Sequence, residues 1–279
     1  MPTRWQLLKE FVRSTRRLSV SLLTALLLAA GAVWYVFAHG ASPLPFLIAA
    51  AVIWFAAMLA LFIYVMREYR KQLPMIKLHA EKGICDELLQ KHCELFPNPP
   101  QDELLKRVDL LLALERWNDA EALLNTVPEA EVKPPNIVIY YNCRLLLLLE
   151  TGRAQEAFRI FCGNRGMIDS HAGKSQTPSR GAYYATAMTL LALQGDEAGS
   201  AQYLSLVEVV YGQSTGVAQF FPRIMRAERL YALGARAEAD DLAAELRAEI
   251  PESSALTRDW ERQQLLHMLD HAAAMSPNP

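Results

Sequence analysis

The stretch ETGRAQEAFRIF, residues 150–161, decides the fold, because close variants of it recur through the second half of the chain. LERWNDAEALL (residues 114–124), LQGDEAGSAQYL (193–204) and LGARAEADDL (233–242) share its layout. Each has an apolar helical run, a short turn of Gly or charged residues, and then a small residue one turn ahead of another apolar position. Aligning the small residues gives Ala120, Ala157, Ala201 and Ala239, spaced 37, 44 and 38 residues apart. A period near 34 to 44 is that of stacked helical hairpins. The small residue allows the two helices of a pair to cross closely. The residue four on (Leu124, Phe161, Ala243) fills the gap to the next pair. Gly152, Gly195 and Gly234 suit the ends of the first helices, where a left-handed residue is wanted.

Breaks at Pro128, KPPN (133–136), TPSRG (177–181), Gly212 and Pro251 separate apolar helical runs, and no alternating strand pattern intervenes. The expected class is all-α: about four helix pairs forming an α-solenoid over residues 99–275, closed by a capping helix. Ahead of it, residues 67–98 read as a helical connector punctuated by PNPP at 97–100.

The units resemble the tetratricopeptide-repeat family over residues 101–251, with SSALTRDWERQQLLHMLDHAAAM (253–275) in the place of the polar cap that such arrays need. TGRAQEAFRIF and LERWNDAEALL, with Trp117 in its turn, carry the likeness. The match is degenerate: the family's Trp, Leu-Gly and Tyr positions become Tyr141, Arg144-Leu145 and Leu148 in the second unit, and only the fourth keeps the final Pro, Pro251. NRGMIDSHAGKSQT (164–177) reads as an insertion, and the third unit has an extra turn residue before Ala201. Another helical-hairpin solenoid is the alternative.

The resemblance implies binding of a protein partner in the groove lined by the first helices. The groove positions are Asp109, Asn142, Leu146, Ile224 and Glu228, with Leu105 beside them. The basic clamp by which some members hold a terminal carboxylate is missing, since only Asn142 is of a suitable type. A groove that is apolar to acidic suits apolar or basic peptides.

The first 66 residues have another character. Residues 18–38 and 44–66 are uncharged runs of the length that crosses ~30 Å of hydrocarbon, and they read as two transmembrane helices. Arg4, Lys9, Arg13, Arg16 and Arg17 precede them, Arg67, Arg70, Lys71, Lys77 and Lys82 follow, and the HGASP connection has no Lys or Arg. That charge pattern predicts a two-pass integral protein of the plasma or inner membrane with both termini cytoplasmic. The first run is too long and too soon followed by the second for a cleaved signal. Small residues at Ser21, Ala25 and Ala29, and at Ala56 and Ala60, suit a hairpin closed on itself or a dimer interface. Residues 1–17 read as an amphipathic segment on an anionic lipid surface, or as a polar extension of the first span. Neither span carries an ionisable residue, which argues against a transporter.

Catalytic lookalikes are weak. HAGKS (171–175) lacks the first Gly of a phosphate loop and a preceding strand. HMLDH (267–271) has Asp where an inverted zinc-protease motif needs Glu, and no further ligand. No catalytic residue, metal site, cofactor or small-molecule substrate is expected. Cys85, Cys93, Cys143 and Cys162 lack CxxC spacing and read as reduced, small core residues. The pairs Tyr140–Tyr141 and Tyr183–Tyr184 read as packing between repeats. From residue 83 on, Asp and Glu outnumber Lys and Arg, which disfavours nucleic acid. The sequence therefore predicts a membrane-anchored scaffold that binds a protein partner at the cytoplasmic face through its repeats. The alternative is an accessory subunit meeting a membrane complex through the hairpin.

Overall fold

The computed structural model describes residues 44–274, together with residues 30, 31, 34, 35 and 38. It is all-helical, with no strand among the described residues. The elements in chain order are α1 (Leu44–Lys82), α2 (Asp86–Leu95), α3 (Gln101–Ala113), α4 (Trp117–Leu124), α5 (Ile137–Glu150), α6 (Ala154–Ala172), α7 (Thr177–Leu193), α8 (Glu197–Tyr211), α9 (Phe221–Ala232), α10 (Arg236–Glu252) and α11 (Asp259–Ala274). The chain divides into two compact units, Met1–Lys77 and Leu78–Pro279.

The first unit corrects the membrane reading. Among the described residues, no helix is long and apolar enough to cross a membrane. The first expected span, residues 18–38, lies mostly outside the described residues, as does the amphipathic segment 1–17. The second expected span, residues 44–66, falls within α1, which turns charged from Arg67 on. The two-pass hairpin, and the integral-membrane localisation with cytoplasmic termini that followed from it, are therefore not upheld. Val52, Phe55, Phe62 and Ile63 stand exposed along α1. The helix carries Pro74 inside it and runs on to Lys82.

In the second unit the recurrence seen in the sequence becomes four helix pairs, α3–α4, α5–α6, α7–α8 and α9–α10, each first helix packing on its own partner and on its neighbours. Every turn within a pair is built alike. Glu115, Gly152, Gly195 and Gly234 have φ of 56°, 75°, 74° and 79°. The next amide in each turn reaches back to a carbonyl five residues earlier: Arg116 to Leu111 at 2.9 Å, Arg153 to Leu148 at 2.7 Å, Asp196 to Leu191 at 2.9 Å and Ala235 to Leu230 at 2.9 Å. A second bond joins the left-handed residue to the carbonyl three before it, as in Gly152 to Leu149 at 3.0 Å. This pair of bonds satisfies the last carbonyls of the first helix and reverses the chain.

The small residue lies five positions after the left-handed one. Ala120, Ala157 and Ala239 are fully buried, as are Phe161 and Ala243 four residues further on. The third unit departs from the expected register. Ala201 is exposed, and the fully buried small residue is Ser200, followed by buried Leu204. The departure has a polar reason: Arg229 on α9 donates through Nε to Ser200 Oγ at 2.8 Å, while that hydroxyl donates to Glu197 O at 3.0 Å. Counted from Ser200, the third unit has no extra turn residue.

Two further expectations change. The stretch 164–177 is no loop, because α6 continues through it to Ala172. Of the four free cysteines only Cys143 is buried; Cys93 and Cys162 are exposed, on the outer sides of α2 and α6. The tyrosine pairs are packing elements: Tyr140 and Tyr141 meet edge to face at 5.3 Å, and Tyr183 meets Tyr203 of α8 at 6.2 Å, both ring-centroid distances.

The last helix, α11, packs on α9 and α10 through buried Leu265, Leu269 and Ala272. Its start is pinned by Trp260, whose Nε1 donates to Ala80 O at 3.4 Å and whose ring lies 5.8 Å from that of His79. Gly83, at φ 72°, lies so close beneath the indole that a Cβ would come within 2.6 Å of it. Further along α11, His267 pairs with Glu115 at 3.2 Å and His271 with Glu150 at 2.8 Å. One short helix thus touches the end of α1, the first turn of the array and the end of α5.

Candidate functional site

The first helices of the pairs and α11 together wall a cleft of about 270 Å³. Its apolar side is made by Leu146 and Leu149 of α5, Ala182 and Ala185 of α7, Phe221 and Met225 of α9, Val207 and Tyr211 of α8, and Met268 of α11. Its polar side is Asp109, Asn142, Glu150, Thr186, Thr189, Glu228 and His271. Each comes from a helix position fixed by packing. Asn142, for example, lies between buried Tyr141 and Cys143 on a helix whose residues are nearly all interior. No Lys or Arg lines the cleft among the described residues.

Four of the five groove positions read from sequence, Asp109, Asn142, Leu146 and Glu228, line this one cleft. Ile224 does not. It is fully buried in the core, as is Leu105, and the cleft face of α9 is made by Phe221, Met225 and Glu228. Ile224 and Met225 are adjacent apolar residues and both are buried, so hydropathy alone does not tell which of the two borders the cleft. The contribution of α11 was not legible. The HMLDH stretch was weighed only as a metal-site lookalike, yet His271 is half-buried and lines the cleft.

The polar groups interlock. Thr186 Oγ1 donates to Asn142 Oδ1 at 2.9 Å and also lies 3.1 Å from Ala182 O, and Asn142 is only 3% exposed. Thr189 donates to one oxygen of Glu228. His271 Nε2 meets Glu150 Oε2 at 2.8 Å. The hydrogen bond to Glu150 raises the His271 pKa against the opposing effect of burial, with the charges of Glu150, Glu228 and Glu115 adding to the rise. Burial raises the pKa of Glu228, and the nearby charge of Glu150 adds to this, while the Thr189 hydrogen bond and His271 act the other way. Asp109 is also raised by burial. Much protein surrounds Asp109, but its side chain keeps contact with solvent, and that contact limits the rise. Among the described residues Asp109 has no ion-pair partner, unlike Glu121 with Arg153 at 2.7 Å or Asp270 with Arg247 at 2.8 Å.

The cleft therefore offers three carboxylates, one amide donor and an apolar wall. No three His, Cys, Asp or Glu side chains among the described residues gather as a group that could hold a metal ion. No family model matches the chain, and neither a curated protein nor a solved structure does.

Proposed function

We propose that the chain is a helical-repeat scaffold, of tetratricopeptide type, that works by binding a segment of a protein partner in the cleft between its first helices and α11. The observation that carries this reading is the convergence of Asp109, Asn142, Leu146 and Glu228, from three different helix pairs, on a single open cleft. A core position would have been filled, whereas these side chains border space. The tetratricopeptide assignment draws on the turn repeated at Glu115, Gly152, Gly195 and Gly234, each followed five residues later by a buried small residue.

The test is a photo-crosslinking residue placed at Leu146 in the full-length protein, expressed in its own cells. A discrete protein adduct that is lost when the same residue is placed at exposed Val209 on α8 supports the reading. Equal crosslinking at both positions, or none at Leu146, contradicts it.

A further inference from the structure

Resting on that reading, we propose that the seam between α11 and α5 is a latch on the cleft: the His271–Glu150 and His267–Glu115 pairs hold it narrow, and their release widens it to admit the partner segment. The cleft at rest is small. At about 270 Å³ it falls below the roughly 300–1,000 Å³ of drug-sized ligand pockets, and a helix about 10–12 Å across does not enter it while α11 is docked. A wall has to move, and the walls differ in how they are held.

The last helix is fastened unevenly. On one side it packs on α9, α10 and the 3₁₀ turn Gly216–Gln219, with Leu265, Leu269 and Ala272 fully buried, and Arg247 of α10 bonds Asp270 at 2.8 Å. Its start is fixed too: Trp260 donates to Ala80 O, and Glu261 Oε2 accepts from the amides of Thr257 and Arg258 at 2.8 and 3.0 Å. Toward α5 and the first turn of the array, the polar links among the described residues are two side-chain pairs, His271 with Glu150 at 2.8 Å and His267 with Glu115 at 3.2 Å. The His267 and Glu115 side chains are 66% and 53% exposed, and pairs so exposed contribute little. Parting the seam therefore breaks two bonds and leaves the three buried side chains where they are, whereas lifting α11 off α9 would uncover them.

The latch lies where it controls the cleft. Glu150 and His271 are both in the lining, with Met268 on the α11 side and Leu146 and Leu149 on the α5 side. His267 and His271 are four residues apart and so share one face of α11. The ends of neighbouring first helices, α3 and α5, thus present one carboxylate each to successive turns of α11. Glu228 of α9 also acts on the His271 imidazole by its charge, so His271 sits between the wall that stays and the wall that parts.

The experiment reads opening by thiol labelling of the full-length protein carrying Leu149→Cys, with Cys85, Cys93 and Cys162 replaced by Ser. Leu149 is 8% exposed and lines the cleft, whereas native Cys143 is fully buried on the same helix and lies outside the lining, so it reports unfolding of the array. A bulky maleimide is expected to label the introduced thiol faster than Cys143. Adding His267→Ala and His271→Ala is expected to raise that rate about threefold or more, with Cys143 unchanged. His271→Arg in place of His271→Ala, which keeps a cation opposite Glu150, should return the rate toward its starting value. Labelling of the introduced thiol no faster than Cys143, an unchanged rate in the double variant, an equal rise at both thiols, or no recovery with His271→Arg overturns the latch. Each of these outcomes leaves the Leu146 crosslink standing, so failure of the latch and failure of the cleft as a binding site are read separately.

Discussion

Ser200 and Ala201 show how much rests on one residue. A fully buried small residue at the crossing of a helix pair leaves no room for added methylenes, and forcing them in costs about 1–3 kcal/mol. Ala157→Leu is therefore expected to lower Tm by about 2–4 °C for each kcal/mol lost. Ala154→Leu, partly buried at the turn, should cost far less. In the third unit the contrast discriminates between registers: Ser200→Leu should be damaging, both by overpacking and by leaving Arg229 Nε without its acceptor, while Ala201→Leu on the exposed side should stay within about 0.5 kcal/mol of wild type. Melting curves of the four full-length variants check this, and a harmful Ala201→Leu beside a silent Ser200→Leu would return the register to Ala201. The sequence could not separate the two, because Ser and Ala are both small and the alignment favours Ala by likeness alone. The first turn was illegible for a related reason. Glu115 occupies a left-handed position that Gly marks in the other three units, so the signal of the turn is missing there while its geometry is kept.

At the scale of elements, the helices of the array were readable from their apolar period and turn residues, and α11 was readable as a helix but not as a wall. Its three buried residues pack on α9 and α10 as a cap would. What makes it more than a cap is long-range: His271 meets a residue 121 positions earlier, and no local pattern encodes such a pairing. The pairing gives α11 a pH dependence. The folded-state pKa of His271 is raised above its ordinary 6.5. Its stabilising contribution is thus fully present below that value and is lost as pH rises through the folded-state pKa. Glu150, Glu228 and Glu115 face the imidazole and reinforce this sign. The side chain keeps about a third of its exposure, so solvent screening holds the effect to roughly 0.5 kcal/mol, or about 1–2 °C. Thermal melts from pH 5.5 to 9 should show the wild type ahead of His271→Gln at the acidic end, with the gap closing toward the alkaline end. A gap that is constant or widens with pH would contradict the assignment.

For the molecule as a whole, composition and spacing sufficed for an all-α array and for four residues of its cleft, whereas hydropathy over the first 66 residues pointed to two crossings, and no helix among the described residues is long and apolar enough to make one. Hydropathy counts residues without regard to what surrounds them. The cleft depends on residues brought together from four helix pairs and a terminal helix. The repeat makes that convergence possible, because stacking like turns sets the first helices side by side and presents the same face of each. Binding on that face is the central claim, and hydrogen exchange of the full-length protein, with and without the partner that crosslinks at Leu146, tests it most directly. Added protection is predicted in the second halves of α5 and α9, the first half of α7 and the last turns of α11, with α4, α6 and α10 unchanged. Protection confined to the second helices of the pairs, leaving Asn142, Leu146 and Glu228 exchanging as before, would contradict it.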